Sequence, residues 1–235
     1  MTRLQELGYQ VFDKVLDIEE INEIIELIKS NTKNNANHRN NGGLFAVREF
    51  LHEYPDVLDV VRENRRLKDM IRSFGKDFKV IRSIYFDKPP KANWIVNWHQ
   101  DLTINVKEKI VQPEFKHWRQ IDNRVVVQPP KSYLERIITI RIHLDDCDRN
   151  NGALQVIPKS HKNGIVQITD LGNTEKAKAE YCEVKKGGVM LMKPLLLHHS
   201  KRSASDTRRR RVIHLELSNE RIPLGMELKE NFIIT

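Results

Sequence analysis

The stretch LLLHHSKRSASDTRRRRVIHLEL, residues 195–217, sets two short apolar segments on either side of a polar loop. In RRRVIHLEL, residues 209–217, the side chains alternate. Arg209, Arg211, Ile213, Leu215 and Leu217 take odd positions; Arg210, Val212, His214 and Glu216 take even ones. A period of two marks a strand, whose successive side chains point to opposite faces. The more apolar odd face is expected to point inward, which admits Arg209 or Arg211 to an interior site and disfavours Arg208 and Arg210. By the same parity His198 and Ser200 share a face and His199 takes the other, unless the strand is bulged there.

Segments of the same texture fill the chain from residue 78 onward: FKVIRSIYF, WIVNWH, RIITIRIHL, ALQVIP and GVMLM, separated by Pro, Gly, Asn and Asp. In ITIRIHL, Ile138, Ile140, Ile142 and Leu144 form one apolar face, with Thr139, Arg141 and His143 opposite. If helices cover the apolar face, the polar one lines a pocket where Arg141 or Thr139 would meet an anionic ligand; otherwise it is a solvated sheet face. Upstream the period is helical. DIEEINEIIELIKS carries Ile18, Ile21, Ile24, Ile25 and Ile28 at helical spacing, and Asp17 with Glu20 three residues on reads as a capping box. AVREFLHEYPDVLDVVRENRRLKDMIRSF reads as a second helical region, interrupted at Pro55 and closed by Gly75.

Helices first and many short strands afterward predict a β-sandwich or barrel with N-terminal helices on one face. A helical part over residues 1–77 and a β core over 78–218 are expected to form one domain spanning 1–235, since no Pro/Gly/Ser-rich linker divides them. The charged span 107–133, with Trp118 its one large apolar residue, reads as a lid loop over a site. The Asn-rich stretch 31–43 reads as an exposed connection. Trp94 and Trp98 lie opposite His99 in parity and read as core.

Lys and Arg total 40 against 32 Asp and Glu, a net charge of +8, but the basic residues are spread along the chain. Such a balance permits an anionic partner without requiring one. Arg208 to Arg211 lead straight into an alternating segment with no aromatic stacking platform beside them, so no nucleic-acid partner is expected. No run of about 18 apolar residues occurs, which excludes membrane insertion by a hydrophobic helix. The two cysteines, Cys147 and Cys182, stand in no metal or redox spacing, and the opening MTRLQELGYQVF has no signal-like apolar stretch. The expected setting is the cytoplasm.

The chemistry starts at NWHQDLT. His99 and Asp101 lie two apart, which on a strand puts both on one face about 7 Å apart at the backbone. An imidazole and a carboxylate so placed can grip one metal ion, but the triplet is common and needs a third ligand. Two histidines and one carboxylate on one face of an octahedron leave three positions open, as in non-heme Fe(II) oxygenases. The candidate third ligand lies in LLLHHS. His143, His161 and His214 read as turn, wall or surface residues, and Asp145 and Asp146 as serving the turn that follows them.

With IYFDKPPKANWIVNWHQDLT, QPP at 128–130, RIHLDDCDRNNGALQVIPKSHKNG, KPLLLHHS and RRRRVIHLEL in this order, the chain resembles the phytanoyl-CoA dioxygenase family of Fe(II)/2-oxoglutarate-dependent oxygenases. The resemblance implies a double-stranded β-helix, a cupin-like jelly roll. It implies an iron site of His99, Asp101 and His198, and an arginine eleven residues after that histidine, Arg209, that clamps 2-oxoglutarate. Parity adds Ser200 beside it, and Arg141 or Thr139 as contacts to 2-oxoglutarate or an anionic substrate. Fe(II), 2-oxoglutarate and O2 are the implied cofactor and co-substrates, with hydroxylation of a small-molecule or acyl substrate and release of succinate and CO2 as the implied reaction. A carboxylate at position 101 leaves no vacancy for halide, which favours hydroxylation over halogenation. A non-catalytic jelly-roll binding protein and a metal-dependent hydrolase with the same three ligands are the competing readings. Lys159 stands where the family commonly has glycine.

Overall fold

A computed structural model describes residues 2–31, 38–40, 44–90 and 95–234. Most of the Asn-rich stretch and Trp94 lie outside them. In chain order the elements are α1 (Arg3–Leu7), β1 (Tyr9–Phe12), α2 (Ile18–Ser30), β2 (His38–Asn40), β3 (Leu44–Arg48), α3 (Phe50–Glu53), α4 (Pro55–Glu63) and α5 (Arg65–Arg72). Then follow β4 (Lys79–Lys88), β5 (Val96–His99), β6 (Ile104–Val106), β7 (Lys116–Ile121), β8 (Arg124–Gln128), α6 (Lys131–Arg136), β9 (Ile138–His143) and β10 (Leu154–Val156). The chain closes with α7 (Asn173–Lys176), β11 (Glu180–Cys182), β12 (Val189–Met192), β13 (His198–Ser200), β14 (Arg210–Ser218) and β15 (Phe232–Ile233).

Three sheets result. The major one runs β1-β12-β9-β14-β4-β3-β2, with β15 also on β4; the minor one runs β11-β10-β13-β5; a third, β6-β8-β7, stands beside them. Major and minor sheets face each other as a jelly roll.

The N-terminal helices form as their sequence dictates. In α2 the Asp17 side chain accepts from Glu20 N–H at 2.9 Å and the Glu20 carboxylate accepts from Asp17 N–H at 2.9 Å. Ile21, Ile24, Ile25 and Ile28 are buried, whereas Ile18 at the first turn is 49% exposed and falls off the packed stripe. Pro55 ends α3 and opens α4 at a first-turn position, where a missing N–H costs nothing. Asn64 then caps α5 by accepting from Leu67 N–H at 2.8 Å.

These helices lie on the outer face of the major sheet. Their isoleucines, leucines and Phe50 join Ile138, Ile140 and Ile142 of β9 and Ile213, Leu215 and Leu217 of β14 in one core. Full burial of each such side chain contributes about 1.5–3 kcal/mol, so this layer is a main source of stability. The other face of the same strands looks into the jelly roll. On β9 that face carries Thr139, Arg141 and His143, as the alternation in ITIRIHL predicts once helices cover the isoleucines.

On β14 the expected face is reversed. The apolar odd residues turn out toward the helices, and Arg210, Val212, His214 and Glu216 turn into the jelly roll. The register requires it, because β14 pairs antiparallel with β9 with His214 opposite Arg141 and Leu215 opposite Ile140, and partners across a ladder share a face.

The span 107–133 is not an irregular loop. It contains the β7–β8 hairpin, with the turn at Asp122, φ 53°, and β8 pairs on its other edge with β6. Phe115, Val127, Tyr133 and Leu134 pack this meander onto Ile81 and Leu195. Trp118 is half-buried there, and its indole N–H donates to Phe115 O at 3.0 Å.

Candidate metal centre

A cavity of about 110 Å³ opens between the two facing sheets. The major sheet supplies Arg82, Arg141, Arg210, His214 and Glu216 to its wall, and the minor sheet supplies His99, His198 and Ser200. Asp101 completes it from just beyond the end of β5.

His198 and His99 are direct partners in the β13–β5 ladder, and their ring centroids lie 4.0 Å apart. Ser200 pairs with Val96, so the ladder slips between His198 and Ser200. Despite the bulge, His198 and Ser200 both face the cavity. His199 turns away, stacks on half-buried Trp98 with centroids 4.1 Å apart, and shares a 2.7 Å hydrogen bond with Gln155 Oε1.

Asp101 Oδ1 lies 3.8 Å from His99 Nε2 and Asp101 Oδ2 3.7 Å from His198 Nε2. Ligand atoms of all three residues lie within 4.8 Å of one another. With metal–ligand bonds of about 2.0–2.2 Å, two ligands of one ion sit at most about 4.4 Å apart, so both carboxylate–imidazole separations fit.

The donor chemistry fits too. Nδ1 of His99 lies 2.8 Å from Asn97 O, and Nδ1 of His198 lies 2.8 Å from Leu196 O. A carbonyl only accepts, so each Nδ1 carries the proton and each Nε2 offers a lone pair to the centre. Burial, reinforced by His99, pushes His198 down to about 3, so it is neutral. Burial raises the Asp101 carboxyl, but His198 and His99, then His214 and Arg82, together outweigh it and hold Asp101 well below the usual carboxylate range. Its Oδ2 is buried with no hydrogen-bond partner, the condition of a group that awaits a cation.

Gln100, which sequence reasoning passes over, fixes this turn. Its amide donates to Gly164 O at 2.8 Å and Leu195 O at 2.7 Å, and its Oε1 accepts from Val166 N–H at 3.0 Å. Together with Asp101 N–H on Pro194 O at 2.9 Å, these bonds lock the backbone between the two candidate ligands.

The arginine run resolves residue by residue. Arg208 reaches Asp148 at 2.7 Å and Arg211 reaches Asp145 with two donors, at 2.8 and 2.6 Å. Arg209 does not enter the cavity; it is half-exposed and binds Asp87 at 2.9 Å. Arg210 is the cavity arginine, buried, with its Nε unpartnered. Its NH1 donates to Gly152 O and, at 3.4 Å, to Ser200 Oγ, whose own proton goes to Gly152 O at 2.9 Å. Arg209 thus lies outside the interior where parity placed it, because the apolar face of β14 is not the cavity face. Asp145 likewise serves Arg211 rather than only its turn. The run is thus neutralised within the chain, apart from the one guanidinium held inside.

Arg141 lines the cavity and Thr139 does not. Thr139 sits two residues before it on β9, opposite Glu216 and Met192 and fully buried. Arg141 NH1 lies 2.9 Å from His214 Nδ1. Since a guanidinium only donates, His214 accepts on Nδ1 and carries its proton on Nε2, 3.4 Å from Glu216 Oε1. Glu216 in turn pairs with Arg82 at 2.9 Å. Burial and Arg210 lower Arg141 to about 10, which leaves it charged near neutrality. Asp101, His214 and Glu216 also bring ligand atoms within 4.8 Å. The Arg141 and Arg82 guanidiniums bonded to two of them oppose a second cation there.

His161 fills a turn position as expected, 3.3 Å from Gln5 O. Lys159 adopts φ 68°, the left-handed conformation in which glycine is the usual residue.

Residues 4–212 match the pattern of the phytanoyl-CoA dioxygenase (PhyH) family. The chain belongs to that family. Fe(II), 2-oxoglutarate and O2 are the family's cofactor and co-substrates. Phytanoyl-CoA dioxygenase domain-containing protein 1 of Danio rerio is 26% identical over 182 residues, 71% of this chain. The matched region spans about half, 54%, of that relative's length. EctD from S. alaskensis, solved with 2-oxoglutarate and 5-hydroxyectoine, superposes with a TM-score of 0.69 at 16% identity, covering 92% of this chain and 73% of its own. AviO1 from Streptomyces viridochromogenes gives 0.65 at 17% identity and 94% of both chains. SnoN, an α-ketoglutarate-dependent epimerase from nogalamycin biosynthesis, gives 0.64 at 13% identity, over 92% and 80%. At these identities the family's jelly roll is what is shared. Among the described residues no helix is long and apolar enough to cross a membrane.

Proposed function

We propose that this phytanoyl-CoA dioxygenase family member hydroxylates a small-molecule or acyl substrate, with His99, Asp101 and His198 as the Fe(II) ligands and Arg210 as the clamp on 2-oxoglutarate. One observation carries the reading: two imidazoles, a carboxylate and a buried arginine with an unpartnered Nε line the same small cavity. A hydrolase built on the same three ligands has no need of a carboxylate receptor at that place. Intact ligand positions likewise speak against a binding protein that has lost turnover.

Bound at the triad, Fe(II) with 2-oxoglutarate and O2 supplies oxidative decarboxylation to succinate and CO2 coupled to oxygen insertion into a C–H bond. The chain supplies the geometry. Asn97 and Leu196 carbonyls orient the imidazoles, and Gln100 fixes the Asp101 turn. Arg210 presents a planar fork suited to a carboxylate, and Ser200 and Gly152 O hold that fork in place. No proton donor or acceptor beyond these groups is required of the protein.

The test is succinate formation from 2-oxoglutarate with Fe(II) under O2, screened against candidate substrates. Release of succinate that a substrate stimulates supports the reading. Absence of 2-oxoglutarate turnover together with absence of 2-oxoglutarate binding contradicts it.

A further inference from the structure

Next to the metal-centre cavity, and sharing its Arg82 and Ile84 walls, lies a second cavity of about 200 Å³. Arg48 and Arg124 line it together with Arg82, alongside Thr103 and Asn105. Three guanidiniums thus converge on a space a few carbon atoms wide. Glu216 pairs with Arg82 and is buried, but the partner of Arg124 is Asp122, 54% exposed and 3.3 Å away, where solvent screens the attraction. The Arg124 side chain is only 7% exposed, and burial lowers its pKa. A buried guanidinium held mainly by a solvent-screened carboxylate gains from an oxyanion that enters the cavity.

The wall is also organised for oxygen acceptors. Arg82 NH2 donates to Thr103 Oγ1 at 3.1 Å and to Asn105 Oδ1 at 3.0 Å, which fixes the plane of its fork. Thr103 and Asn105 add hydroxyl and amide donors to the wall. Arg124 comes from β8, so the meander over residues 104–128 builds this cavity rather than only covering the metal centre.

We infer that the cavity is the substrate's oxyanion subsite: it takes a carboxylate or phosphate through Arg48, Arg82 and Arg124 and thereby holds the substrate's carbon skeleton against the metal centre. The inference rests on the oxygenase reading for the role of the neighbouring cavity. Arg82 links the two functions, because the guanidinium that faces the subsite also anchors the Glu216–His214–Arg141 chain behind Asp101.

Inorganic phosphate is the probe, titrated calorimetrically and anaerobically into the full chain loaded with Fe(II) and 2-oxoglutarate, so that the co-substrate already occupies Arg210. The expected result is saturable binding that Arg124→Gln and Arg48→Gln each weaken by about tenfold or more, as for loss of one charge-assisted hydrogen bond. Unchanged 2-oxoglutarate binding in both variants shows that the fold is intact. Heats that do not saturate, or saturable binding that neither substitution weakens, overturn the assignment. If the chain fails to take up 2-oxoglutarate at all, the oxygenase reading falls instead. The titration of the unloaded chain then still decides the subsite: loss in Arg124→Gln supports it, and loss confined to Arg210→Gln contradicts it.

Discussion

His198 and His99 stand directly opposite each other across the β13–β5 ladder, with ring centroids 4.0 Å apart, while His199 stacks on Trp98 on the other side. Adjacent histidines therefore have separable roles. His198→Ala is expected to lower bound Fe(II) by more than about tenfold, and His199→Ala to leave the metal content near one per chain. Metal analysis after anaerobic loading checks this; equal loss in both variants would contradict the pairing of His198 with His99.

The Asp17–Glu20 capping box satisfies N–H groups at the start of α2, whose isoleucines form the outer layer of the major sheet. Asp17→Ala is expected to cost about 1 kcal/mol, a fall in Tm of about 2–4 °C for a chain of this size. Thermal unfolding measures it, and an unchanged Tm would contradict the assigned cap.

Glu230 carries a pH signature outside the metal centre. Burial raises it to about 7, against the opposing effect of its hydrogen bonds from Ser83 N–H and hydroxyl. The folded state therefore holds a proton that the unfolded chain, titrating near 4.5, gives up earlier. That contribution is fully present below about pH 4.5 and is lost as pH rises to about 7, a change on the order of 3 kcal/mol. Denaturant unfolding should show the wild type losing stability relative to Glu230→Gln between pH 5 and 7.5, by on the order of 2–3 kcal/mol. A difference that stays constant with pH would refute the buried, protonated Glu230.

The outer layer of the fold was legible because helices and strands announce it by period: the α2 stripe apart from Ile18, the Pro55 break and the β9 alternation form as read. The reversal on β14 has a physical origin. Both faces of the major sheet are buried, one under helices and one inside the jelly roll, so apolarity does not say which face is the site; on this sheet the polar face is. The rule applied to Arg141 on β9 would have chosen Arg210 on β14, because the two strands are neighbours. The spacing of eleven lands one residue short of the cavity-lining Arg210, because it crosses the polar loop between β13 and β14, where an added residue costs little. The β7–β8 hairpin had a signal in the Asp122–Asn123 turn before RVVVQ, masked by the charge of the span. Gln100, Arg82 and Glu216 had none, since their roles come from partners far along the chain.

In the proposed function Arg210, not Arg209, receives 2-oxoglutarate beside the His99–Asp101–His198 centre. Arg209 lies on the outer side with Asp87, so Arg209→Gln should disturb little inside the cavity. Anaerobic titration of 2-oxoglutarate into the Fe(II)-loaded chain, read by calorimetry, separates the two. One equivalent is expected to bind to the wild type and to Arg209→Gln, with affinity lowered by about tenfold or more in Arg210→Gln. Binding retained in Arg210→Gln, or lost in Arg209→Gln, would contradict it.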